Sequence, residues 1–198
     1  MAKGDIMPYR GADQGSVLPP TDEFPLKASE TFVQGEPVSL NNAGDLTESA
    51  SAPADEDFLG IAAMSGDTVG ATDPNGIFRS PEGLFTPGAS PNLPVAGDLI
   101  SIWRAKPGHK WVSRNFATDG AGTAAVPTKA NAVGEVASLI LASGNWFVDV
   151  GGSGSRVARI DKVLDAKGND IARSSGTGVF VVFEFIATQS TSIDAPAA

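Results

Sequence analysis

Residues 32–63, "FVQGEPVSLNNAGDLTESASAPADEDFLGIAA", decide the fold class. Thr31, Phe32 and Val33 and the run Pro37 to Leu40 flank Gly35 and Glu36, and both read as short strands. Asn41 to Gly44 supplies turn residues before Asp45, Leu46 and Thr47, so the stretch is predicted to fold back on itself as a hairpin. Pro37 has no N–H to give to a ladder, which suits an edge strand or the first residue of a strand. Residues 49–57 form a polar loop, and Phe58 to Met64 then reads as a short buried strand.

The same alternation of short apolar runs and turn residues continues to the C-terminus. Asp98 to Arg104 is a strand, Pro107 and Gly108 make a turn, and Lys110 to Phe116 follows as another apolar run. Residues 117–131 are rich in Ala, Gly and Thr and read as a loop. Val133 to Leu141 reads as strand or short helix. The turn Ser143 to Asn145 and the run Trp146 to Val150 favour a hairpin there. Gly151 to Ser155 reads as a flexible break. Arg156 to Leu164 and Asp170 to Arg173 flank a further hairpin signal at Asp165 to Asn169. Val179 to Ile186 is nearly all β-branched or aromatic, which predicts a strand buried on both faces. No fixed-period repeat stands out.

The expected fold is therefore all-β, a compact β-barrel or β-sandwich with an extended N-terminal arm and long Pro/Gly-rich loops. Residues 1–29 hold Pro8, Pro19, Pro20 and Pro25, a density that forbids a continuous helix, and are assigned to the arm. The β-rich domain is expected over 30–188, with a long irregular excursion at about 65–97, and 189–198 is a short polar tail. A loop that long usually has a task, and surface recognition is the one expected here.

Composition narrows the chemistry. The chain of 198 residues carries 23 Gly and 14 Pro but no Cys, which removes disulfides, thiolate catalysis and Cys-based zinc sites. The first residues show no apolar signal region, and no run approaches the ~18 apolar residues of a membrane span, so a protein made in a cytoplasm-like compartment is expected. Net charge is −9, of which −8 falls within residues 1–60. So acidic a first third disfavours nucleic-acid binding, because phosphate contacts need Lys and Arg. It reads as a solvated face that keeps the protein soluble.

Catalytic constellations are missing from the sequence pattern. His109 is the single histidine and sits in a turn between two strands. With no second His, no Cys and no nucleophile elbow, it reads as an ordinary turn residue. Asp55, Glu56 and Asp57 lack the alternating spacing of a calcium loop and read as solvated. Gly151 to Ser155 lacks phosphate-loop spacing. No enzyme activity, cofactor, metal or small-molecule substrate is expected. The basic run Arg104, Lys106, Lys110 and Arg114 is interleaved with Trp103, Trp111 and Phe116. That mixture can stack on bases or sugars, but it also suits a protein interface, which is the reading adopted.

The opening residues carry a family resemblance. Phe32, the Gly35-Glu36-Pro37-Val38 run, Leu40, the return Gly44 to Thr47 and the strand Phe58 to Ala62 resemble the decoration, or cement, proteins of tailed-bacteriophage heads. The likeness covers about residues 30–104. It implies a non-enzymatic structural protein on the outer capsid surface of the virion, made in the host cytoplasm. It further implies homotrimers that bridge neighbouring major capsid subunits, with no nucleic-acid or membrane partner. A carbohydrate- or host-binding β-module of a phage tail or fibre, with Trp103, Trp111 and Trp146 as platforms, is the alternative. Candidate interface residues are Met7, Pro8, Tyr9, Arg10, Val17 and Leu18 in the arm. Phe78, Leu84 and Phe85 join them from the excursion, and Trp103, Arg104, Lys110, Trp111 and Arg114 from the basic run.

Overall fold

A computed structural model describes residues 6–9, 19–28, 30–32, 34–54, 58–63, 66–67, 96–171 and 177–186. They are almost all β, in two principal sheets. In chain order the strands are β1 (Met7–Pro8), β2 (Thr21–Pro25), β3 (Thr31–Phe32), β4 (Pro37–Leu40), β5 (Leu46–Glu48), β6 (Phe58–Ala62), β7 (Gly66–Asp67) and β8 (Leu99–Arg104). There follow β9 (Lys110–Ser113), β10 (Phe116–Ala117), a one-turn helix α1 (Lys129–Ala132), β11 (Val136–Ala142), β12 (Asn145–Asp149), β13 (Ala158–Leu164) and β14 (Phe180–Phe185). Strand β2 lies within the span assigned to the arm, so the first sheet begins before residue 30. Residues 68–95 of the excursion, the tail from 187 and the cluster Asp55 to Asp57 lie outside the described residues.

The first sheet runs β2-β8-β6-β4-β5, every pair antiparallel. It curls until its two edges meet. Leu26, directly after β2, pairs in parallel with Leu46 of β5, and Lys27 N–H donates to the Leu46 carbonyl at 3.1 Å. Inside this ring lie Leu26, Val38, Leu46, Leu59, Ile100 and Ile102 among others, all 0–1% exposed. Asn41 builds the β4–β5 turn, its Oδ1 accepting from the N–H groups of Ala43 (2.8 Å) and Asp45 (2.9 Å). Pro37 stands as the first residue of β4, where its missing N–H costs least. In β6 an extra residue shifts the register against β4, since Val38 faces Gly60 while Ser39 faces Phe58. The bulge resets the side-chain phase. Phe58 and Ile61 therefore point into one core, and Leu59 and Ala62 into the other.

The second sheet runs β1-β9-β14-β13-β11-β12-β10. Strands β9 and β10 stand near opposite ends of that order yet are separated only by Arg114 and Asn115. They are two halves of one kinked strand, the first paired antiparallel to β14 and the second parallel to β12, and so this sheet also closes into a five-strand ring. Its interior holds Trp111, Phe116, Leu139, Trp146, Ile160 and Phe183, each 0–1% exposed. The predicted strand at 179–186 is β14, with Val181, Val182 and Phe183 buried in succession. The predicted hairpin at 133–150 is β11–β12. Within Gly151 to Ser155, read as a break between strands, the backbone passes close to a neighbouring loop, for a Cβ on Gly151 would lie 2.2 Å from the Thr118 carbonyl oxygen.

The two rings are one topology used twice. In each, a first strand (β2; β9–β10) is followed by a hairpin (β4–β5; β11–β12) and then by two more strands (β6 and β8; β13 and β14). The neighbour order around each ring is the same, and each is closed by a single parallel contact between its first and third strands. The registers match as well. Gly60 faces Arg104 as Ala158 faces Phe185, and Thr21 faces Trp103 as Lys110 faces Glu184. Gly35 N–H donates to the Ala62 carbonyl, and Ala62 N–H to that of Glu36, both at 2.9 Å. The same pair recurs as Gly134 to Ile160 and Ile160 to Glu135, again both at 2.9 Å. Gly35 and Gly134 enter their hairpins at φ of 92° and 87°, a region that glycine alone occupies freely. The shared sequence is Gly-Glu-x-x-Ser-Leu, at residues 35–40 and 134–139.

The rings are welded by core packing. Phe58, Ile61 and Ala105 of the first share a cluster with the interior of the second. Ala52 N–H also donates to the Leu139 carbonyl at 2.7 Å, and Leu141 N–H to Ser51 Oγ at 3.0 Å. Strand β1 lies on the outer edge of β9 and buries Ile6 completely in that same cluster.

Candidate interaction surface

The basic run of 104–114 is split by its partners. Arg104 is 8% exposed, with Nε 3.0 Å from Asp22 Oδ2 and the guanidinium 6.0 Å from the Phe24 ring centre. The Nε contact is an ion pair rather than an aligned hydrogen bond. Lys110 Nζ lies 3.1 Å from Glu184 Oε2 and 3.6 Å from Asp161 Oδ2. Glu184 also accepts from Arg159 Nη2, making a ladder across β9, β14 and β13. That contact with Arg159, aided by Lys110, holds the Glu184 carboxyl below the usual carboxylate range against the opposing effect of its burial. Arg114 is exposed and stacks 4.9 Å above the Phe180 ring. Arg104 and Lys110 are thus engaged within the chain, and Arg114 is the solvent-facing cation of the three.

The aromatic residues divide similarly. Trp111 and Trp146 are fully buried, their indole Nε1 groups without hydrogen-bond partners, so both are core rather than surface platforms. Trp103 is partly buried and packs against the same cluster. In the arm, Met7 is 38% exposed while Pro8 and Tyr9 are half-buried; Tyr9 N–H donates to the Lys110 carbonyl at 2.9 Å, and Lys162 Nζ lies 5.2 Å from the Tyr9 ring centre. Arg10, Val17, Leu18, Phe78, Leu84 and Phe85 lie outside the described residues. The structure therefore gathers Met7, Pro8, Tyr9, Lys110 and Trp111 at one edge of the second ring. Arg104 and Trp103 lie on β8, and Arg114 at the kink after β9.

Three carboxylates organise loops; the sequence marks the Asp165 turn as a hairpin signal but singles out neither Asp119 nor Asp149. Asp149 is fully buried and accepts from the N–H groups of Gly120 (3.1 Å), Gly122 (3.1 Å) and Gly151 (2.8 Å). Asp119 accepts from the Thr123 side chain and from the Ala121 and Thr123 N–H groups, which holds its carboxyl down at about 2. Asp165 closes the turn after β13. It accepts from the Asn169 side chain and from the N–H groups of Asn169 and Lys167, and its pKa is lowered in consequence. For Asp119 the available signal was the adjacent Gly120 in a short polar stretch, whereas Asp149 ends an apolar run and carries no such signal.

His109 is half-buried in the Lys106–Lys110 turn. Among the described residues no group of three or more His, Asp or Glu is placed to hold a metal ion. No described helix is long and apolar enough to cross a membrane. No protein-family model, curated protein or solved structure matches the chain.

Proposed function

We propose that this chain is a non-enzymatic structural protein that decorates and stabilises a tailed-phage capsid, bridging neighbouring major capsid subunits from the outer surface. The observation that supports this reading best is the build of the hairpin that carries the resemblance. Residues 35–48 form a wall of a closed five-strand ring whose interior is apolar and filled, a rigid element suited to bearing load rather than turning over a substrate. The second ring repeats that element and adds an ion-pair ladder on its outside. Such a shape offers two related surfaces from one chain, which fits a protein that clamps repeated neighbours. On this reading the assembly is a homotrimer and the partner is the major capsid protein.

Burial of Trp111 and Trp146 favours decoration over a carbohydrate-binding tail module, because two of the three expected stacking platforms are occupied in the core. The test is binding of the purified chain to expanded capsids that lack it, followed by electron microscopy of the complex. Added density at fixed lattice positions is the expected outcome. Protein that stays in the supernatant while capsids pellet overturns the reading.

A further inference from the structure

Register equivalence between the rings exposes one difference in how their first strands are finished. In the second ring, the outward-facing backbone groups of β9 belong to Lys110 and Val112. Strand β1 covers them, with Tyr9 N–H on the Lys110 carbonyl at 2.9 Å and Met7 opposite Val112. Pro8 falls opposite Trp111, at the alternate position whose N–H would point away from β9, so its missing donor is harmless.

The equivalents of Lys110 and Val112 in the first ring are Thr21 and Glu23, since these face Trp103 and Ser101 as Lys110 and Val112 face Glu184 and Val182. Hydrogen bonds from β2 and its flanks to β8 fall on even-numbered residues: Arg104 N–H donates to Pro20 and Leu26 N–H to Asp98, both at 2.9 Å. Antiparallel alternation then turns the N–H and C=O of Thr21 and Glu23 outward. Both residues are exposed, and among the described residues no strand pairs with that edge along β2, the closing contact with β5 beginning only at Leu26.

We infer that the outer edge of β2 is a strand-acceptor site, and that its occupant is an extended, basic segment of a partner protein. The sister ring supplies the geometry, because β1 shows a short prolyl strand seated on the equivalent edge. Charge supplies the chemistry. Glu23 is exposed, with Ser101 Oγ 3.5 Å from its Oε1, and it lies in a stretch of chain carrying most of the net charge. A second copy of β2 is a poor occupant, since the fully overlapping antiparallel pair, centred on Glu23, would set that carboxylate against its own copy. Main-chain bonds then give the affinity, and Lys or Arg facing Glu23 gives the selectivity. The inference is independent of the capsid reading.

The test uses the full isotope-labelled chain and, as probe, a capped peptide of residues 3–11, which carries Lys3 and Arg10 and contains the natural edge strand. Titration is expected to shift the amides of Thr21 and Glu23 and to slow their hydrogen exchange at least about tenfold. Glu23→Lys, or replacing both basic residues of the peptide by Glu, is expected to weaken binding about tenfold or more. Glu23→Pro removes both the outward donor and the carboxylate and is expected to abolish binding while the β8 amides stay protected; Glu23→Lys serves if that variant does not fold. Shifts confined to Val112, no binding at millimolar peptide, equal binding of the acidic peptide, or self-association through β2 each overturn the inference.

Discussion

Phe58 and Phe185 meet with ring centroids 4.9 Å apart and planes inclined at 53°, one from each ring of strands. Phe185 also contacts Trp111 at 5.3 Å and Phe183 at 5.4 Å, so the contact between the rings continues into the interior of the second. Aromatic pairs in such tilted geometries add to the burial of the rings themselves.

Phe58→Ala is expected to cost about 3–5 kcal/mol, as large-to-small changes in filled aromatic cores do. Because the side chain belongs to both units, the loss should appear as one earlier transition for the whole chain in urea, followed by both fluorescence and circular dichroism. Separate transitions for the two rings would contradict shared packing.

Gly60 and Ala158 occupy equivalent positions but have different tolerances. A Cβ on Gly60 would lie 2.3 Å from the Trp103 carbonyl oxygen. Gly60→Ala should therefore destabilise by ~1–3 kcal/mol through overpacking. Ala158→Gly should cost ~1–2 kcal/mol, from backbone entropy in a strand and from the buried methyl it deletes. Thermal melts of the two variants, side by side, measure the asymmetry.

Glu184 has a folded-state pKa below its unfolded value, so its contribution to stability is present above the unfolded pKa, about 4.3, and is lost as pH falls through the depressed folded value. Urea midpoints from neutral pH down to about 3 should fall less for Glu184→Gln than for the parent chain. Parallel curves would show that the ladder of Lys110, Glu184 and Arg159 adds nothing.

Asp149→Ala leaves three loop N–H groups without their acceptor, at an expected cost of about 1–3 kcal/mol. Hydrogen exchange should quicken at Gly120, Gly122 and Gly151 before the strand amides respond. Unchanged protection at those glycines would assign the loop's order to other contacts.

What could be read from the residues followed local pattern. The β4–β5 turn, the β11–β12 hairpin and the doubly buried β14 each announce themselves in consecutive residues. The repeat does not, because equivalent residues are separated by different intervals: Gly35 and Gly134, Gly60 and Ala158, Arg104 and Phe185. Burial asks only for apolar filling at each place, so Ile102 and Phe183 serve alike and leave little identity behind. Ring closure rests on contacts such as Leu26 with Leu46, which no local pattern encodes. The basic run was legible as charge, but the acids that engage it within the chain, Asp22 and Glu184, lie far away in sequence.

Carrying the ring twice in one polypeptide also changes what selection can act on. Two identical chains related by a two-fold axis must alter both copies of a surface at once. Here the two rings are free to differ: one has its rim closed by Met7 and Pro8, while the other presents Thr21 and Glu23 to solvent. One polypeptide thereby carries a covered and an uncovered version of the same strand edge.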